Sequence, residues 1–204
     1  MPTRTQRASR LPPDQRRVAI VAASLPLVLR HGVGVSTRQI ADAAGVAEGT
    51  IFRVFPDKDS LMRAVTAKAF DPEPTLRELA AVDREQPLRN RLVAGVQILQ
   101  RRLTGVFSLL DALRLTEPPA GQPGGKGAGA RPPGAMNDAF RAAIADLVGP
   151  DRDQLRVSAD ELAHVLRLLV ISGTHPRITD GPPLPAEQIV AILLDGMRRR
   201  SDSG

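Results

Sequence analysis

Apolar side chains recur at steps of three and four residues through most of the chain, a spacing that predicts amphipathic helices. The first such stretch starts near Asp14, a plausible N-cap, and its predicted inward positions are Val18, Val21, Leu25, Val28 and Leu29. The same period covers residues 57–70, 75–82, 88–115, 135–148, 158–171 and 185–200. The stretch 88–115 fits either one helix or two. Because no alternation typical of a β-strand competes, the pattern predicts an all-α fold.

Two residues mark the shape and the end of the first predicted helix. Pro26 cannot donate a hydrogen bond to the carbonyl four residues earlier, so we expect a kink or a local break there. Gly32 follows the last periodic position and is predicted to cap the C-terminus of the helix.

Residues Ser36 to Phe55 form two short helical segments with a tight turn between them. Ser36 and Gln39 have the spacing of a capping box, in which each side chain bonds the backbone of the other. Gly45 stands where the chain must turn sharply, and Val46 and Ile51 supply apolar anchors for the second segment. This pattern predicts a helix-turn-helix, whose second helix, Ala47 to Phe55, fits a DNA major groove.

From about Arg17 to Phe70 the sequence resembles the TetR family of bacterial transcriptional regulators. The motifs that carry the resemblance are, in order, Arg30-His31-Gly32, Ser36-Thr37-Arg38-Gln39-Ile40-Ala41, Ala44-Gly45-Val46, Gly49-Thr50-Ile51-Phe52, Phe55, Lys58 and Leu61. The resemblance implies an N-terminal three-helix DNA-binding domain. It also implies a larger C-terminal helical domain that binds a ligand and dimerises.

The predicted domain organisation has three parts. A basic flexible arm covers residues 1–13, the DNA-binding domain covers 14–70 with a linker helix at 57–70, and a regulatory domain covers 71–204. Asp71-Pro72-Glu73-Pro74 marks the boundary by composition, and Asp57 is predicted to cap the linker helix. In residues 117–134, Pro and Gly make up eleven of eighteen positions, which predicts a mobile loop.

The formal charge of the chain is concentrated at its N-terminal end. Residues 1–70 contain eleven Lys or Arg against five Asp or Glu, a net charge of +6, whereas residues 71–204 contain seventeen of each. This distribution is typical of a surface that meets phosphates. Arg4, Arg7 and Arg10 are spaced along the arm, which either reaches the DNA or is a disordered tail.

The resemblance and the side-chain chemistry together give a set of candidate DNA-binding residues. Glu48 has two open roles, accepting from a cytosine amino group or repelling phosphate, while Gly49 lets the backbone approach the duplex. Ala47, Phe52 and Val54 depart from the family pattern, because a capping hydroxyl and two polar phosphate contacts are missing. The full set is Thr37, Arg38, Ala47, Glu48, Gly49, Thr50, Phe52, Arg53 and Lys58.

The resemblance also implies a ligand pocket among the helices between Leu88 and Ile171. Few aromatic residues lie there, so the default expectation is an aliphatic pocket for a small apolar effector, if an effector exists. Candidate ligand-binding residues are Gln97, Gln100, Phe107, Asp111, Phe140 and His164, the last of which is also compatible with a structural role. Homodimerisation is expected through helices near 159–172 and 185–200; alternatively, those apolar stripes only close the monomer's core.

Composition argues against catalysis. The chain has no Cys, three His, no phosphate-cradling glycine motif and no carboxylates clustered at metal spacing, so we expect neither an enzyme nor a cofactor or metal. No run of about 18 apolar residues is identified as a membrane span, and the N-terminus lacks the apolar core of a signal peptide. The expected location is the bacterial cytoplasm, in association with the nucleoid and with no membrane partner.

The leading functional hypothesis is a homodimeric repressor that binds an inverted-repeat operator on double-stranded DNA and is released by a small effector. A ligand-independent regulator or an activator of the same family is the second. The third is a small-molecule sequestering protein whose DNA-binding domain is degenerate.

Overall fold

A computed structural model describes residues 12–115 and 133–197, and the regular elements in these ranges are helices. In chain order they are α1 (Pro13–His31), α2 (Thr37–Ala43), α3 (Glu48–Val54), α4 (Lys58–Phe70), α5 (Glu73–Ala80), α6 (Leu88–Ala112), α7 (Pro133–Val148), α8 (Ala159–Thr174), α9 (Pro176–Thr179) and α10 (Ala186–Met197). Short 3₁₀ turns cover Gly32–Gly34 and Gly149–Gln154. The predicted all-α fold is confirmed.

The predicted helix boundaries agree with most of these elements. The stretch 88–115 is a single helix, α6, and α9 was not predicted. Two predicted features lie largely outside the described residues: residues 1–11 of the arm, with Arg4, Arg7 and Arg10, and all but the last two residues of the 117–134 loop.

The described residues divide into two compact units. Unit 1 contains residues 12–70 and 109–115, and unit 2 contains residues 71–108 and 133–197. The last turn of α6 therefore belongs to unit 1, where Leu109 is fully buried in the apolar core.

The face that α1 buries in unit 1 differs from the predicted one. Ile20, Val21 and Val28 are buried together with Ser24, whose hydroxyl donates to the carbonyl of Ile20 at 2.7 Å. Val18 is 64% exposed and Leu29 41% exposed, so both were wrongly predicted to face inward. Apolar residues occur on more than one side of this helix, so spacing alone does not identify the buried side. The buried side also includes a serine, whose hydroxyl is hydrogen-bonded within the helix, and a polar residue is not expected at a core position.

The two ends of α1 behave differently from each other. Pro13 is the first helical residue and Asp14 lies in the first turn, so the prediction of Asp14 as N-cap is wrong. The helix continues through Pro26, which excludes the predicted local break. At the other end Gly32 forms the predicted C-cap with φ +56°, and its N–H donates to the carbonyl of Val28.

One segment corrects the expectation about membrane spans. Among the residues described, Pro13–Gly34 is long and apolar enough to cross a membrane by length and composition, so the statement that no such run exists is wrong. A single helix of this kind is a weak indication, because a core helix passes the same test. Ile20, Val21 and Val28 of this segment pack in the core of unit 1, which gives its apolarity a structural role.

The core of unit 2 is formed chiefly by α6, α7, α8 and α10. Ser158 caps α8 by accepting from the N–H of Glu161 at 3.1 Å. Leu162, Leu166 and Val170 of α8 are buried. Ile192 of α10 is 55% exposed. The core positions of α10 are Ile189, Val190, Leu193 and Leu194, which lie on the opposite side of the helix.

A buried arginine ties α6 to the end of α7. Arg91 is 2% exposed, and its guanidinium donates to the carbonyls of Leu147 and Val148 at 2.8 Å and to those of two residues in the turn before α6. Asp151 accepts a further hydrogen bond and balances the charge. The guanidinium of Arg91 thus provides hydrogen-bond donors to carbonyls at the end of a helix that would otherwise be buried without partners.

The conformation and surroundings of Gly32 predict a large effect of adding one methyl group. A Cβ built there would lie 2.3 Å from the carbonyl oxygen of Ala112, and a φ of +56° disfavours any residue with a Cβ. We expect Gly32→Ala to lower the free energy of unfolding by about 1–3 kcal/mol from the backbone conformation alone. Chemical denaturation of the full chain measures this.

Gly34→Ala is the matched control, because a Cβ at Gly34 meets nothing within 4 Å and its φ is not positive. Equal stability of Gly32→Ala and Gly34→Ala would contradict both the positive φ of Gly32 and the packing of Ala112 against this turn.

Candidate nucleic-acid interface

The turn between α2 and α3 is built by local hydrogen bonds. Ser36 accepts from the N–H of Gln39 at 3.2 Å, and its own N–H donates to Oε1 of Gln39 at 2.8 Å, so the predicted capping box opens α2. Gly45 has φ +65°, as predicted for the sharp turn, and the N–H of Val46 donates to the carbonyl of Ala41 at 3.0 Å. This is the Schellman arrangement that ends a helix at a left-handed glycine.

Two buried side chains hold α3 against the rest of unit 1. Ile51 is 1% exposed and Phe55, directly after the helix, is fully buried. Successive residues of a helix are separated by about 100°, so the opposite side of α3 must face outward. Gly49, Phe52 and Arg53 occupy that side, and Phe52 is 51% exposed.

Arg17 of α1 fixes the C-terminal end of α3. Its guanidinium lies 4.3 Å from the centroid of the Phe55 ring and donates to the carbonyl of Val54 at 3.3 Å. A cation over an aromatic face and a donor at a helix C-terminus are both favourable. Sequence reasoning missed Arg17, because its hydrogen bond joins residues 37 positions apart in the chain and no local sequence pattern predicts such a contact.

The candidate DNA-binding residues of the helix-turn-helix differ in their exposure and in their contacts with the rest of the protein. The hydroxyl of Thr37 donates to Oε1 of Glu48 at 2.6 Å, which links the first residues of α2 and α3. Arg38 and Arg53 are exposed, and neither side chain has a hydrogen-bond or ion-pair partner among residues 12–115 and 133–197. Their guanidinium groups are therefore available to a ligand. Thr50 is half-buried.

Lys58 has a partner within the protein. Its ammonium group donates to the carbonyl of Val33 at 2.9 Å, so α4 is tied to the turn after α1. An ammonium has three donors, which leaves two for a phosphate. Asp57 is the predicted N-cap of α4, accepting from the N–H of Ser60 at 2.6 Å, and this backbone hydrogen bond lowers the pKa of Asp57.

The departures from the family pattern have visible consequences. Ala47 precedes α3 in an extended conformation and provides no side-chain cap. Phe52 offers a ring without a hydroxyl, so its contact with DNA would be apolar. Val54 is half-buried, and its carbonyl is already occupied by Arg17.

The candidate ligand-binding residues lie in different surroundings. Gln97 and Gln100 line an open cleft of about 490 Å³ together with Arg101, Thr104 and Pro183. The amide of Gln100 donates to the carbonyl of Leu184 at 2.7 Å, and that of Gln97 donates to Glu187 at 3.4 Å. Both amides are thus partly used by the protein itself.

The other four candidates lie elsewhere. Phe107 packs edge-on against the ring of His175, with centroids 4.5 Å apart, and Phe140 is buried in the core of unit 2. His164 is exposed on α8, and Asp111 is an exposed residue of unit 1. Within the described residues, no group of three or more His, Asp or Glu side chains could hold a metal ion.

Two short helices joined at a left-handed glycine, with the second anchored on one side and exposed on the other, define a helix-turn-helix domain of the kind that binds DNA. Comparison with known families agrees, because residues 20–65 match the family of bacterial regulatory proteins described as the tetR family. This segment is a TetR-family DNA-binding domain, and the chain has the fold of TetR-family transcriptional regulators.

Solved structures support the fold over nearly the whole chain. A TetR transcriptional regulator from Streptomyces coelicolor is 21% identical with a TM-score of 0.54, covering 91% of this chain and 99% of that one. NalD, the secondary repressor of the MexAB-OprM multidrug efflux pump in Pseudomonas aeruginosa, is 23% identical with a TM-score of 0.52, covering 92% and 100%. A TetR-family regulator from Haemophilus influenzae is 17% identical with a TM-score of 0.53, covering 93% and 100%.

Because the space around Gly49 is open, a substitution there can test its proposed contact with DNA without destabilising the fold. A Cβ at Gly49 meets nothing within 4 Å, so Gly49→Ala should leave the free energy of unfolding unchanged or raise it by up to about 1 kcal/mol. Against DNA, the added methyl group would hold α3 away from the duplex. We expect about tenfold weaker binding, or about 1.4 kcal/mol, by fluorescence anisotropy.

Gly105→Ala, at an equally open position inside α6, should raise the free energy of unfolding by a similar amount, up to about 1 kcal/mol, and should leave the DNA affinity unchanged. If Gly49→Ala binds DNA as well as the unaltered protein does, this side of α3 does not face the duplex.

Proposed function

We propose that the protein is a homodimeric, sequence-specific DNA-binding regulator that acts as a repressor and is released from its operator by a small molecule. The observation that carries the proposal is the outward side of α3, where Gly49, Phe52 and Arg53 are presented by a helix whose other side is buried. Arg53 has no hydrogen-bond or ion-pair partner among the residues that the structure describes. Groove recognition requires this combination of a rigid helix and free donors.

The distribution of positive charge supports a polyanionic partner such as DNA. The formal charge of residues 1–70 is +6. Arg38 and Arg53 of the helix-turn-helix are exposed, and neither has a partner within residues 12–115 and 133–197. Arginine donates readily to both phosphate oxygens and guanine, so these side chains serve affinity or base recognition according to where they meet the duplex.

A twofold assembly follows from the demands of recognition. One helix-turn-helix reads only a few base pairs, whereas two related by a twofold axis read an inverted repeat with half-sites about one helical turn apart. In unit 2, α8 packs against α10, and each leaves a large apolar side chain in solvent: Leu168 is 46% exposed and Ile192 55% exposed. We propose that these two helices pair with their counterparts in a second copy.

The open cleft on α6 is the proposed effector site. Its walls combine the alkyl parts of Gln97, Gln100 and Arg101 with the hydroxyl of Thr104, so they suit an amphiphilic molecule better than a purely apolar one. Release from DNA requires that the effector bind more tightly to a conformation in which the two recognition helices do not match the operator.

Two alternatives remain from the sequence. A ligand-independent regulator or an activator would use the same DNA-binding surface without the cleft. A sequestering protein with a degenerate DNA-binding domain is favoured by one observation, which is that Ala47 leaves α3 without a side-chain cap. The proposed location is the cytoplasm, with the protein associated with the nucleoid.

Removing the free guanidinium of Arg53 tests DNA recognition. The duplex is the region upstream of the protein's own gene, and affinity is measured by gel shift at several salt concentrations. We expect Arg53→Ala to weaken binding by about 5- to 150-fold, equivalent to about 1–3 kcal/mol, because a groove or phosphate donor is lost.

Arg89→Ala removes an exposed arginine of unit 2 and should leave the affinity unchanged. A protein that binds every duplex with equal, weak affinity at all salt concentrations would contradict the proposal and leave sequestration.

Charge placed at the proposed dimer surface should dissociate the assembly. We expect the unaltered protein to be a dimer by light scattering at micromolar concentration. Leu168→Asp and Ile192→Asp should each give monomers with unchanged helical content, because a carboxylate would be buried without a partner. Ile178→Asp alters an equally exposed residue on α9 and should remain dimeric. A monomeric unaltered protein would refute the dimer.

A further inference from the structure

We infer that Glu48 reads a cytosine in the major groove and that Thr37 positions the Glu48 carboxylate for this contact. The inference rests on the proposed function, since it assumes that α3 enters the groove, and it deepens that function by naming the base that one residue recognises.

The starting observation is the hydrogen bond between the two helices of the motif. Thr37 is the first residue of α2 and Glu48 is the first residue of α3, and the threonine hydroxyl donates to Oε1 of the carboxylate at 2.6 Å. Glu48 is nevertheless exposed. The bond therefore restricts the rotamers of Glu48, and its second carboxylate oxygen has no hydrogen-bond partner among the described residues.

The hydroxyl of Thr37 is committed by the same bond. A threonine has one O–H donor, and here that donor is used by Glu48. Thr37 was predicted from the sequence to contact DNA itself. In this geometry it has no donor left for a phosphate, so its role is to position Glu48.

The ability of the Glu48 carboxylate to accept further hydrogen bonds determines which base it can recognise. A carboxylate at neutral pH accepts hydrogen bonds and donates none. Phosphates and guanine present only acceptors, and thymine presents an acceptor and a methyl group. Adenine offers its N6 amino group next to the N7 acceptor, which would repel the carboxylate. Cytosine offers its N4 amino group without an acceptor of its own in the groove, so it is the base that best fits Glu48.

The neighbouring residue gives the carboxylate access to the bases. Gly49 has no side chain, and the space that a Cβ would occupy is open. The start of α3 can therefore approach the duplex closely enough for the short reach of a glutamate.

The test begins with the full-length protein and a random duplex library. Selection with the unaltered protein yields a half-site, and each of its positions is then replaced by the other three base pairs. Affinities are measured by fluorescence anisotropy at one salt concentration. We expect one position at which cytosine is preferred by about 5- to 150-fold, equivalent to about 1–3 kcal/mol.

Variants then assign that position to Glu48. Glu48→Gln should shift the preference from cytosine to adenine, because a glutamine amide pairs with adenine N6 and N7. Thr37→Val should keep cytosine as the best base but reduce the discrimination, while Thr37→Ser, which retains a hydroxyl, should restore it. Asp42→Asn removes an exposed carboxylate of α2 and should leave the base preferences unchanged.

The outcomes separate this inference from the proposed function. If selection enriches no sequence, DNA recognition itself fails and the inference fails with it. If a motif is enriched but Glu48→Gln strengthens binding to all four bases by the same factor, Glu48 only repels phosphate and the inference alone is overturned. A Thr37→Val protein with undiminished discrimination would overturn the positioning role.

Discussion

The insertion of Ile51 and Phe55 into the core of unit 1 is the interaction on which the candidate DNA-binding surface depends. These two side chains are almost completely removed from solvent. Burial of large apolar side chains is the dominant favourable term in folding, so it fixes the rotation of α3 about its own axis. Once that rotation is fixed, the side chains on the opposite side of the helix must face outward.

The other contacts of the helix-turn-helix refine this arrangement. Arg17 holds the C-terminal end of α3, while the bond from Thr37 to Glu48 joins its start to α2. Lys58 ties α4 to the turn after α1. Each contact uses a polar side chain that would be predicted, from the sequence alone, to face solvent or to bind DNA. Arg17, Thr37 and Lys58, whose residue types can also bind phosphate, thus stabilise the motif, whereas Arg38 and Arg53 have no partner among the described residues and are available to a ligand.

The sequence predicted those features that depend on neighbouring residues. The capping box of Ser36 and Gln39, the left-handed turn at Gly45 and the C-cap at Gly32 are local, because each depends on a few residues and on backbone geometry. The family resemblance supplied the fold of the rest. It could not supply the contacts of Arg17 and Lys58, which join residues far apart in the chain.

The errors have physical reasons of the same kind. Val18 and Leu29 were wrongly predicted to face inward because helical spacing alone cannot distinguish two apolar sides of one helix. The ligand-binding candidates were chosen as the polar and aromatic residues of a predicted wall. Their surroundings, such as the ring of His175 against Phe107, depend on how the helices of unit 2 pack. Side-chain chemistry alone contains no information about that packing, so this site stays a prediction.

Hydrogen exchange measured by mass spectrometry tests the central claim most directly, because it reports which backbone segments a duplex covers. The full-length protein is compared alone, with the duplex selected for tight binding, and with a scrambled duplex of equal length. Residues 36–55 should become protected with the selected duplex and remain unprotected with the scrambled one at moderate salt. Specific binding with protection elsewhere and none in this segment would contradict the assignment of α3 as the recognition helix.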